Sequence, residues 1–162
     1  MGNETSQLKK IDEKFSLFEK TSRIICFEPE EKDLKYLLDK KCDVLCITYS
    51  KDLMGSSILD FVDYIYGNYI TDEEFQKRLT EKGKFDRIVF FPALDPVQTF
   101  RIISKYKDCL LKNSKILVRF RKNIDIDDVE RTFASLSSME GFRIKDRADI
   151  DNFSWFLLES KS

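Results

Sequence analysis

The clearest pattern in the chain is an apolar run at 88–91 that is followed first by a helical pattern and then by a second apolar run. Asp95 and Pro96 have the residue types preferred at a helix N-cap and at the first helical position. The helix that they begin carries one apolar face, made by Phe100, Ile103, Tyr106 and Leu110. The second run, at 115–120, then predicts another strand. A strand, a helix and a strand at this spacing predict parallel strands, and therefore an α/β fold.

The same patterns predict elements on the amino-terminal side of this unit. An amphipathic helix is expected at 7–20, and the apolar runs at 23–27 and 43–47 predict two buried strands. The acidic turn at 28–31 leads into a helix between these strands, with three leucines facing inward: Leu34, Leu37 and Leu38.

The segment from Ile58 to Gly67 keeps helical spacing, so we predict a helix that ends at this glycine; a strand near Tyr69 and Ile70 is the alternative. Thr71 then predicts the N-cap of the next helix, because a glutamate three residues later completes a capping box. That helix is expected to stop at Gly83.

The carboxyl-terminal part of the chain predicts a helix followed by a hairpin. Acidic residues at 125–128 are typical of a first helical turn, and Gly141 closes the helix. Two short apolar segments, at 142–146 and 154–160, predict an antiparallel pair of strands. We therefore expect one domain over residues 7–162, preceded by a flexible N-terminus at 1–6.

Composition narrows the possible chemistry. The chain of 162 residues has 28 basic and 29 acidic side chains, so its overall charge predicts no nucleic-acid partner. It has no histidine, which excludes the usual Ser-His and Cys-His nucleophile systems and the commonest metal ligand. Four cysteines without a C-x-x-C pair predict buried thiols rather than a metal site.

The N-terminus and the hydropathy of the chain bear on its location. Gly2 and Ser6 fit the pattern for N-myristoylation, although an ordinary N-terminus has the same composition. A single acyl chain would give only weak peripheral membrane contact. No apolar run reaches the length of a membrane span, and the chain lacks the apolar core of a secretory signal. The expected location is a reducing cytoplasm.

The order of predicted elements resembles the class I S-adenosylmethionine-dependent methyltransferases over most of the chain. Three segments carry the resemblance, at 84–95, 110–120 and 141–161, and they correspond to the family's fourth strand, its fifth strand and its closing hairpin. The resemblance implies a Rossmann-like fold, with a mostly parallel sheet, helices on both faces and a C-terminal antiparallel hairpin.

The positions that bind the cofactor in this family depart from its pattern. The turn after the first strand, at 27–30, has a proline and two glutamates where the family has glycines that let the cofactor approach the backbone. The second strand ends in Thr48 and Tyr49, without the carboxylate that holds the ribose hydroxyls. Asp95 follows the fourth strand, but the helix that begins there needs it as a cap.

Two hypotheses from different classes follow. The first is a catalytically inactive methyltransferase-like domain that binds no cofactor and acts as a protein-interaction or scaffold module. Aromatic residues, which make good interface anchors, are its candidate contacts: Tyr64, Tyr66, Tyr69, Phe91 and Trp155. The alternative is a divergent methyltransferase that binds S-adenosylmethionine through Glu28, Thr48, Tyr49 and Asp95, which follow strands one, two and four.

Two further possibilities have weaker support from the sequence. The lack of the glycine turn, together with the closing hairpin, also resembles the N-terminal domain of the anamorsin family, although the cluster-binding tail of that family has no counterpart here. A nucleic-acid module would use a set of basic residues: Arg119, Arg121, Lys122, Arg143, Lys145 and Arg147. The acidic residues interleaved with these cations argue against that use.

Overall fold

The computed structural model describes residues 6–20 and 22–161 of the chain. Within these residues, seven strands form one sheet. Their bounds are β1 (Arg23–Phe27), β2 (Asp43–Thr48), β3 (Asp63–Tyr66), β4 (Phe85–Phe90), β5 (Leu110–Arg121), β6 (Phe142–Ile150) and β7 (Phe153–Ser160).

The strands lie in the order β3-β2-β1-β4-β5-β7-β6. The first five strands of the chain pair in parallel, and β7 runs antiparallel to both β5 and β6. In the middle of the sheet, Cys26 of β1 lies between Cys46 of β2 and Val89 of β4. The predicted fold class is therefore confirmed, including the C-terminal hairpin.

Six α-helices of the described residues cover the two faces of the sheet. Their bounds are α1 (Gln7–Phe15), α2 (Glu31–Asp39), α3 (Lys51–Met54), α4 (Glu73–Thr80), α5 (Pro96–Tyr106) and α6 (Ile126–Ser135). The first three helices lie on one face, and the last three lie on the other.

The alternation of side chains along β1 explains why both faces need helices. Ile25 and Phe27 belong to the apolar core under α4, α5 and α6, whereas Ile24 and Cys26 belong to the core under α1, α2 and α3. All four side chains are fully buried. A parallel strand that is buried on both faces reads as an unbroken apolar run, which is why this strand could be predicted.

The predicted N-terminal caps of α4 and α5 are correct to within one residue, whereas the predicted C-terminal ends of α4 and α6 are wrong: α4 ends at Thr80 and not at Gly83, and α6 ends at Ser135 and not at Gly141. The Asp95 carboxylate accepts a hydrogen bond from the Gln98 N–H at 2.9 Å, which confirms the predicted cap of α5. At α4 the cap is Asp72 rather than the predicted Thr71. The first helix ends at Phe15, five residues before the predicted end, because Ser16 turns into the left-handed conformation.

The prediction of a helix from Ile58 to Gly67 is wrong. The chain forms a 3₁₀ turn at Ser57–Asp60 and then the edge strand β3, and Gly67 has no left-handed conformation. In a strand of four residues, buried and exposed side chains alternate only twice. The apolar residues before this strand have helical spacing, so the short alternation was not recognised. The alternative strand, near Tyr69 and Ile70, is a turn.

The N-terminal segment joins the domain at Ser6. Residues 1–5, which include the predicted lipidation site Gly2, lie outside the described residues. Ser6 is buried, its hydroxyl caps α1, and it also donates to the Asp33 carboxylate at 2.6 Å, so it belongs to the fold rather than to a flexible segment. Among the described helices, we find none that is both long and apolar enough to cross a bilayer.

A buried carboxylate ties α1 to α2. Asp12 is 7% exposed, and its carboxylate accepts hydrogen bonds from the backbone N–H groups of Leu17 and Phe18, at 2.8 and 3.0 Å. Its second oxygen accepts from the Tyr36 hydroxyl at 2.8 Å and from the Lys40 ammonium at 2.9 Å. Burial raises the pKa of Asp12, but these bonds outweigh burial, so the pKa lies below its usual value.

We expect Asp12→Asn to lower the free energy of unfolding by about 2 kcal/mol at neutral pH, since it weakens hydrogen bonds to a charged group. Because the folded-state pKa is lowered, the contribution of Asp12 is complete above its unfolded-state pKa and is lost as the pH falls through the folded-state pKa. The difference between the variant and the wild type should therefore shrink below about pH 4. Urea unfolding followed by circular dichroism measures it.

Asp39→Asn is the matched control, since Asp39 is an exposed carboxylate on the same helix, α2. A pH-independent difference for Asp12→Asn, or an equal loss in the control, would contradict this account of Asp12.

Candidate functional site

The carboxyl ends of β1, β2 and β4 form the candidate site. The connection after β1 leads to α2 on one face of the sheet, and the connection after β4 leads to α5 on the other face. A crevice is expected at the edge of a parallel sheet where neighbouring connections leave to opposite faces. The residues after β1 and β2 are therefore the ones whose geometry matters most.

Glu28, the first residue after β1, has a left-handed backbone conformation with φ of 57°. Its N–H donates to the Ile47 carbonyl at 2.8 Å, which extends the pairing of β1 with β2 by one bond. Left-handed backbone is uncommon for residues other than glycine, asparagine and aspartate. The turn thus has the backbone conformation that glycine favours, although its residue is a glutamate.

The Glu28 side chain lies across the end of β2. One carboxylate oxygen accepts from the Tyr49 N–H at 2.8 Å, and the other accepts from the Thr48 hydroxyl at 3.1 Å. The Thr48 hydroxyl also accepts from the Ser50 N–H at 2.9 Å, which orients it. Burial raises the pKa of Glu28, and the two hydrogen bonds oppose that shift. The structure therefore brings together three of the four residues predicted for a cofactor site.

Asp95, the fourth predicted residue, makes no hydrogen bond to this group. Its carboxylate caps α5, and it borders a separate cleft of about 410 Å³ with Arg121 and Asp125. The cap role that the sequence favoured for Asp95 is therefore confirmed.

A small cleft of about 310 Å³ lies beside the turn, between the starts of α2 and α3. Three carboxylates border it: Glu30, Glu31 and Asp52. Pro29 lines it too, and it offers no N–H donor. The first turn of α2 already carries the Asp33 carboxylate, which accepts from the Glu30 N–H at 2.9 Å. This side of the site is thus acidic, and the Asp33 carboxylate already lies at the positive end of the α2 dipole.

The five aromatic residues predicted as partner contacts separate into two groups. Tyr64 and Tyr66 of β3 are 42% and 40% exposed. The other three are corrected, because Tyr69, Phe91 and Trp155 are almost completely buried and belong to the core. The Tyr69 ring packs between Phe27 and Tyr49, and the Phe91 ring meets the Trp155 ring edge-on.

Arg119, the first of the predicted nucleic-acid contacts, is also part of the packing. Its guanidinium lies 4.0 Å from the Phe153 ring and 5.5 Å from the Trp155 ring, and it donates to the Phe91 carbonyl at 2.5 Å. Arg143 and Lys145 both pair with one carboxylate, Glu159. Three of the six predicted residues are therefore engaged within the protein.

The cysteines offer no obvious metal site. All four thiols are buried and free, and no group of three or more potential metal ligands was found in the part of the chain that the structure describes.

Sequence reasoning missed two features. Phe61, which precedes β3, is 73% exposed. The sequence placed it on the predicted helix, so it was not identified as an exposed ring. A basic cavity also lies at the opposite edge of the sheet, bordered by Arg87 and Lys115. It is assembled from β4, β5, β6 and β7, and no pattern along the chain gives the register that brings these strands together.

The sequence and the structure were compared with those of known proteins. No family model and no curated protein matches the sequence. Many solved structures are similar in fold, and three of them illustrate the likeness. The fibrillarin pre-rRNA processing protein of Methanococcus jannaschii has a TM-score of 0.68 at 19% identity, over 89% of this chain and 68% of that one. A SAM-dependent methyltransferase of Archaeoglobus fulgidus has a TM-score of 0.66 at 12% identity, over 95% and 93%.

The third structure is the fibrillarin of Aeropyrum pernix in complex with natively bound S-adenosyl-L-methionine. Its TM-score is 0.64 at 12% identity, over 87% of this chain and 67% of that one. The resemblance to anamorsin is not tested by these matches and stays a prediction. At these identities the likeness concerns the fold, and the chain has the class I S-adenosylmethionine-dependent methyltransferase fold.

Proposed function

We propose that this chain is a divergent methyltransferase that binds the nucleoside part of S-adenosylmethionine at the carboxyl ends of β1 and β2. The observation that carries the proposal is the Glu28 carboxylate, which the Thr48 hydroxyl and the Tyr49 N–H hold at that edge. The alternative hypothesis from the sequence thus gains more support from the geometry than the scaffold hypothesis does.

Ribose recognition needs a fixed acceptor for two neighbouring hydroxyl groups. In enzymes of this fold, an acidic residue at the end of the second strand supplies that acceptor. Thr48 ends the second strand here, and it has no carboxylate. Glu28 reaches the same edge from the end of β1. A carboxylate has about four acceptor sites, and Glu28 uses two of them within the protein, so it can still accept from a sugar.

The adenine base needs an apolar surface at the same edge. The Tyr49 ring is 51% exposed, and its buried side packs against the Tyr69 ring, with 5.6 Å between the ring centres. A partly exposed ring that a second ring holds in place is suited to stacking on a base.

The turn after β1 has a backbone conformation that glycine favours, although the Cβ atom that the sequence predicted to obstruct the cofactor is present. Because Glu28 takes the left-handed conformation, the backbone path is available without glycine. What the turn adds is a Cβ atom and a carboxylate, and the carboxylate is directed toward β2.

The methionine end of the cofactor fits less well. Its carboxylate would face Glu30, Glu31 and Asp52, and Pro29 supplies no N–H to hold it. The bound cofactor would supply an electrophilic methyl group on a sulfonium. We assign no residue to the transfer step and no acceptor, since the fibrillarin likeness concerns the fold alone.

A second candidate function, protein binding, is favoured by the exposed rings of Phe61, Tyr64 and Tyr66. The side chains of Tyr64 and Tyr66 lie on the opposite side of β3 from the buried Ile65, on the face that α3 would have to cover. Since α3 is a single turn at Lys51–Met54, their rings stay exposed. Aromatic rings at a sheet edge suit a protein partner.

The nucleoside site predicts that the purified chain binds S-adenosylhomocysteine. Glu28→Gln should bind it about ten- to hundredfold more weakly, because the variant loses one hydrogen bond to a charged group. Isothermal titration calorimetry measures both affinities. Because burial raises the pKa of Glu28, wild-type binding should weaken as the pH falls toward that pKa, and the variant should lose this dependence.

Glu31→Gln is the control, because it removes a carboxylate from the neighbouring cleft without touching the proposed ribose acceptor. It should leave binding unchanged or strengthen it. Methylthioadenosine, which lacks the amino-acid end, should bind about as tightly as S-adenosylhomocysteine. If neither nucleoside binds the folded wild-type chain at millimolar concentration, the proposal is overturned.

The protein-binding candidate predicts a different loss. Proteins from the native cell that the wild-type chain captures should be lost with the double variant Tyr64→Ser and Tyr66→Ser, because serine removes the apolar contact area. Tyr49→Ser, which removes an exposed ring from the nucleoside edge, is the matched control. Equal capture by the wild type and the double variant, measured by quantitative mass spectrometry, would exclude this surface.

A further inference from the structure

The start of α1 lies next to the candidate site, although it is distant from the site in sequence. Ser6 and Gln7 begin this helix, and both form hydrogen bonds to side chains of other elements. Ser6 is 4% exposed, and its partner Asp33 on α2 is 3% exposed. Neither Ser6 nor Gln7 borders the cleft beside the turn after β1, so α1 contacts the site without lining it.

Asp33 is the centre of the first connection. One oxygen of its carboxylate accepts from the Ser6 hydroxyl at 2.6 Å, and the other accepts from the Glu30 N–H at 2.9 Å. The Ser6 hydroxyl also accepts from the Leu8 N–H at 3.0 Å, which orients it. A continuous chain of hydrogen bonds therefore runs from the first turn of α1, through Asp33, to the turn after β1.

This chain of hydrogen bonds ends where the backbone of the site is strained. Glu28 has a φ of 57°, and a strained residue persists only when the contacts around it fix its conformation. The Glu28 N–H donates to the Ile47 carbonyl at 2.8 Å, which fixes one side of the turn. Pro29 restricts its own φ, and the bond between Asp33 and the Glu30 N–H fixes the other side. Asp33 thus holds one of the two ends of the turn that carries Glu28.

The Asp33 carboxylate depends on both of its bonds. Burial raises the pKa of Asp33, and the bonds from the Ser6 hydroxyl and the Glu30 N–H oppose that shift. A buried carboxylate that loses a donor is costly. Without the Ser6 hydroxyl, we expect the carboxylate to turn toward water, and the Glu30 N–H then loses its partner.

Gln7 makes a second connection, to the end of β4. Its side-chain oxygen accepts from the Trp155 indole N–H at 2.9 Å and from the Arg119 guanidinium at 3.4 Å. Arg119 also donates to the carbonyl of Phe91, the residue after β4, at 2.5 Å. The Phe91 N–H donates in turn to the Phe27 carbonyl at the end of β1, at 3.1 Å. The first two residues of α1 are therefore connected to both strand ends, β1 and β4, that border the site.

We propose that Ser6 and Asp33 are positioning residues, through which the start of α1 controls the nucleoside site. The inference rests on the proposed function, because the turn that these residues hold carries Glu28. A contact that displaces the start of α1 would weaken nucleoside binding, and a bound nucleoside would stabilise the start of α1, since coupling between two sites is reciprocal. With nine residues, α1 is too short to be stable without such contacts.

The first part of the test needs no ligand. Amide hydrogen exchange of the full chain, measured by NMR, reports on the N–H groups of Glu30 and Tyr49, which donate to the carboxylates of Asp33 and Glu28. We expect Ser6→Ala to raise both exchange rates about fivefold or more, because the turn is then held at one end only.

Two further variants separate this effect from the loss of a helix cap. Asp72→Ala removes the cap of α4, which accepts from the Glu74 N–H at 3.0 Å, and it should leave the exchange at Glu30 and Tyr49 unchanged. Ser6→Gly removes the hydroxyl but keeps a residue that is tolerated as a cap, so it should fold as the wild type does and still raise the two rates.

The second part of the test adds S-adenosylhomocysteine and measures its affinity by isothermal titration calorimetry. Ser6→Ala and Ser6→Gly should bind about fivefold more weakly than the wild type, whereas Asp72→Ala should bind equally well. Bound ligand should slow the exchange of the Leu8 N–H in the wild type and leave it unchanged in Ser6→Gly.

The outcomes distinguish this inference from the proposed function. If the wild type binds no nucleoside but both Ser6 variants raise the exchange at Glu30 and Tyr49, the proposed function fails and the positioning role of Ser6 is supported. Unchanged exchange at both N–H groups in the Ser6 variants would overturn the inference. Equal affinities of the wild type and Ser6→Gly for S-adenosylhomocysteine would overturn it too.

Discussion

The parallel pairing of β1 with β2 on one side and β4 on the other is the constraint on which the rest of this structure depends. It buries β1 on both faces, so helices must cover both faces of the sheet. It also sends the connections after β1 and β4 to opposite faces, which leaves the ends of the three strands exposed between them. The position of a ligand site is thus a consequence of strand order, and the chemistry of the site depends on the few residues that follow each strand.

The parts of the fold that sequence predicts are those in which one residue has one local role. Asp95 caps α5 because the helix that follows needs an acceptor, whatever the rest of the chain does. The strand β1 is equally clear, since burial on both faces requires an unbroken apolar run. By contrast, β3 depends on what covers it. Tyr64 and Tyr66 remain exposed because α3 is only one turn long, and no local pattern shows the length of a neighbouring helix.

The candidate site shows the same division between local and long-range information. Sequence identified Glu28, Thr48 and Tyr49 as residues at strand ends, but their hydrogen bonds depend on the conformation of one residue. From the sequence, we expected the cofactor to need a glycine turn, because a Cβ atom would keep it away from the backbone. Glu28 takes the left-handed conformation that glycine favours at a cost of order 1 kcal/mol, and its carboxylate recovers two hydrogen bonds. Glu28 is strained and partly buried, and its pKa is raised, so stability alone explains it poorly. It is therefore a better functional candidate than Asp95, which is exposed and has a structural role as a helix cap.

The two edges of the sheet differ in charge for reasons that are independent of each other. At the carboxyl ends of β1 and β2, the acids Glu30 and Glu31 favour the start of α2, where negative charge stabilises the helix dipole. At the opposite edge, Lys115 of β5 and Arg143 of β6 both lie opposite Glu159 of β7, and no helix end requires them there. One carboxylate thus lies between two cations, and it offsets their mutual repulsion. Burial is the largest cause of the lowered pKa of Lys115, and the charges of Arg87 and Lys145 add to it. The positive charge of this edge therefore follows from strand pairing, whereas the negative charge of the other edge follows from a helix end.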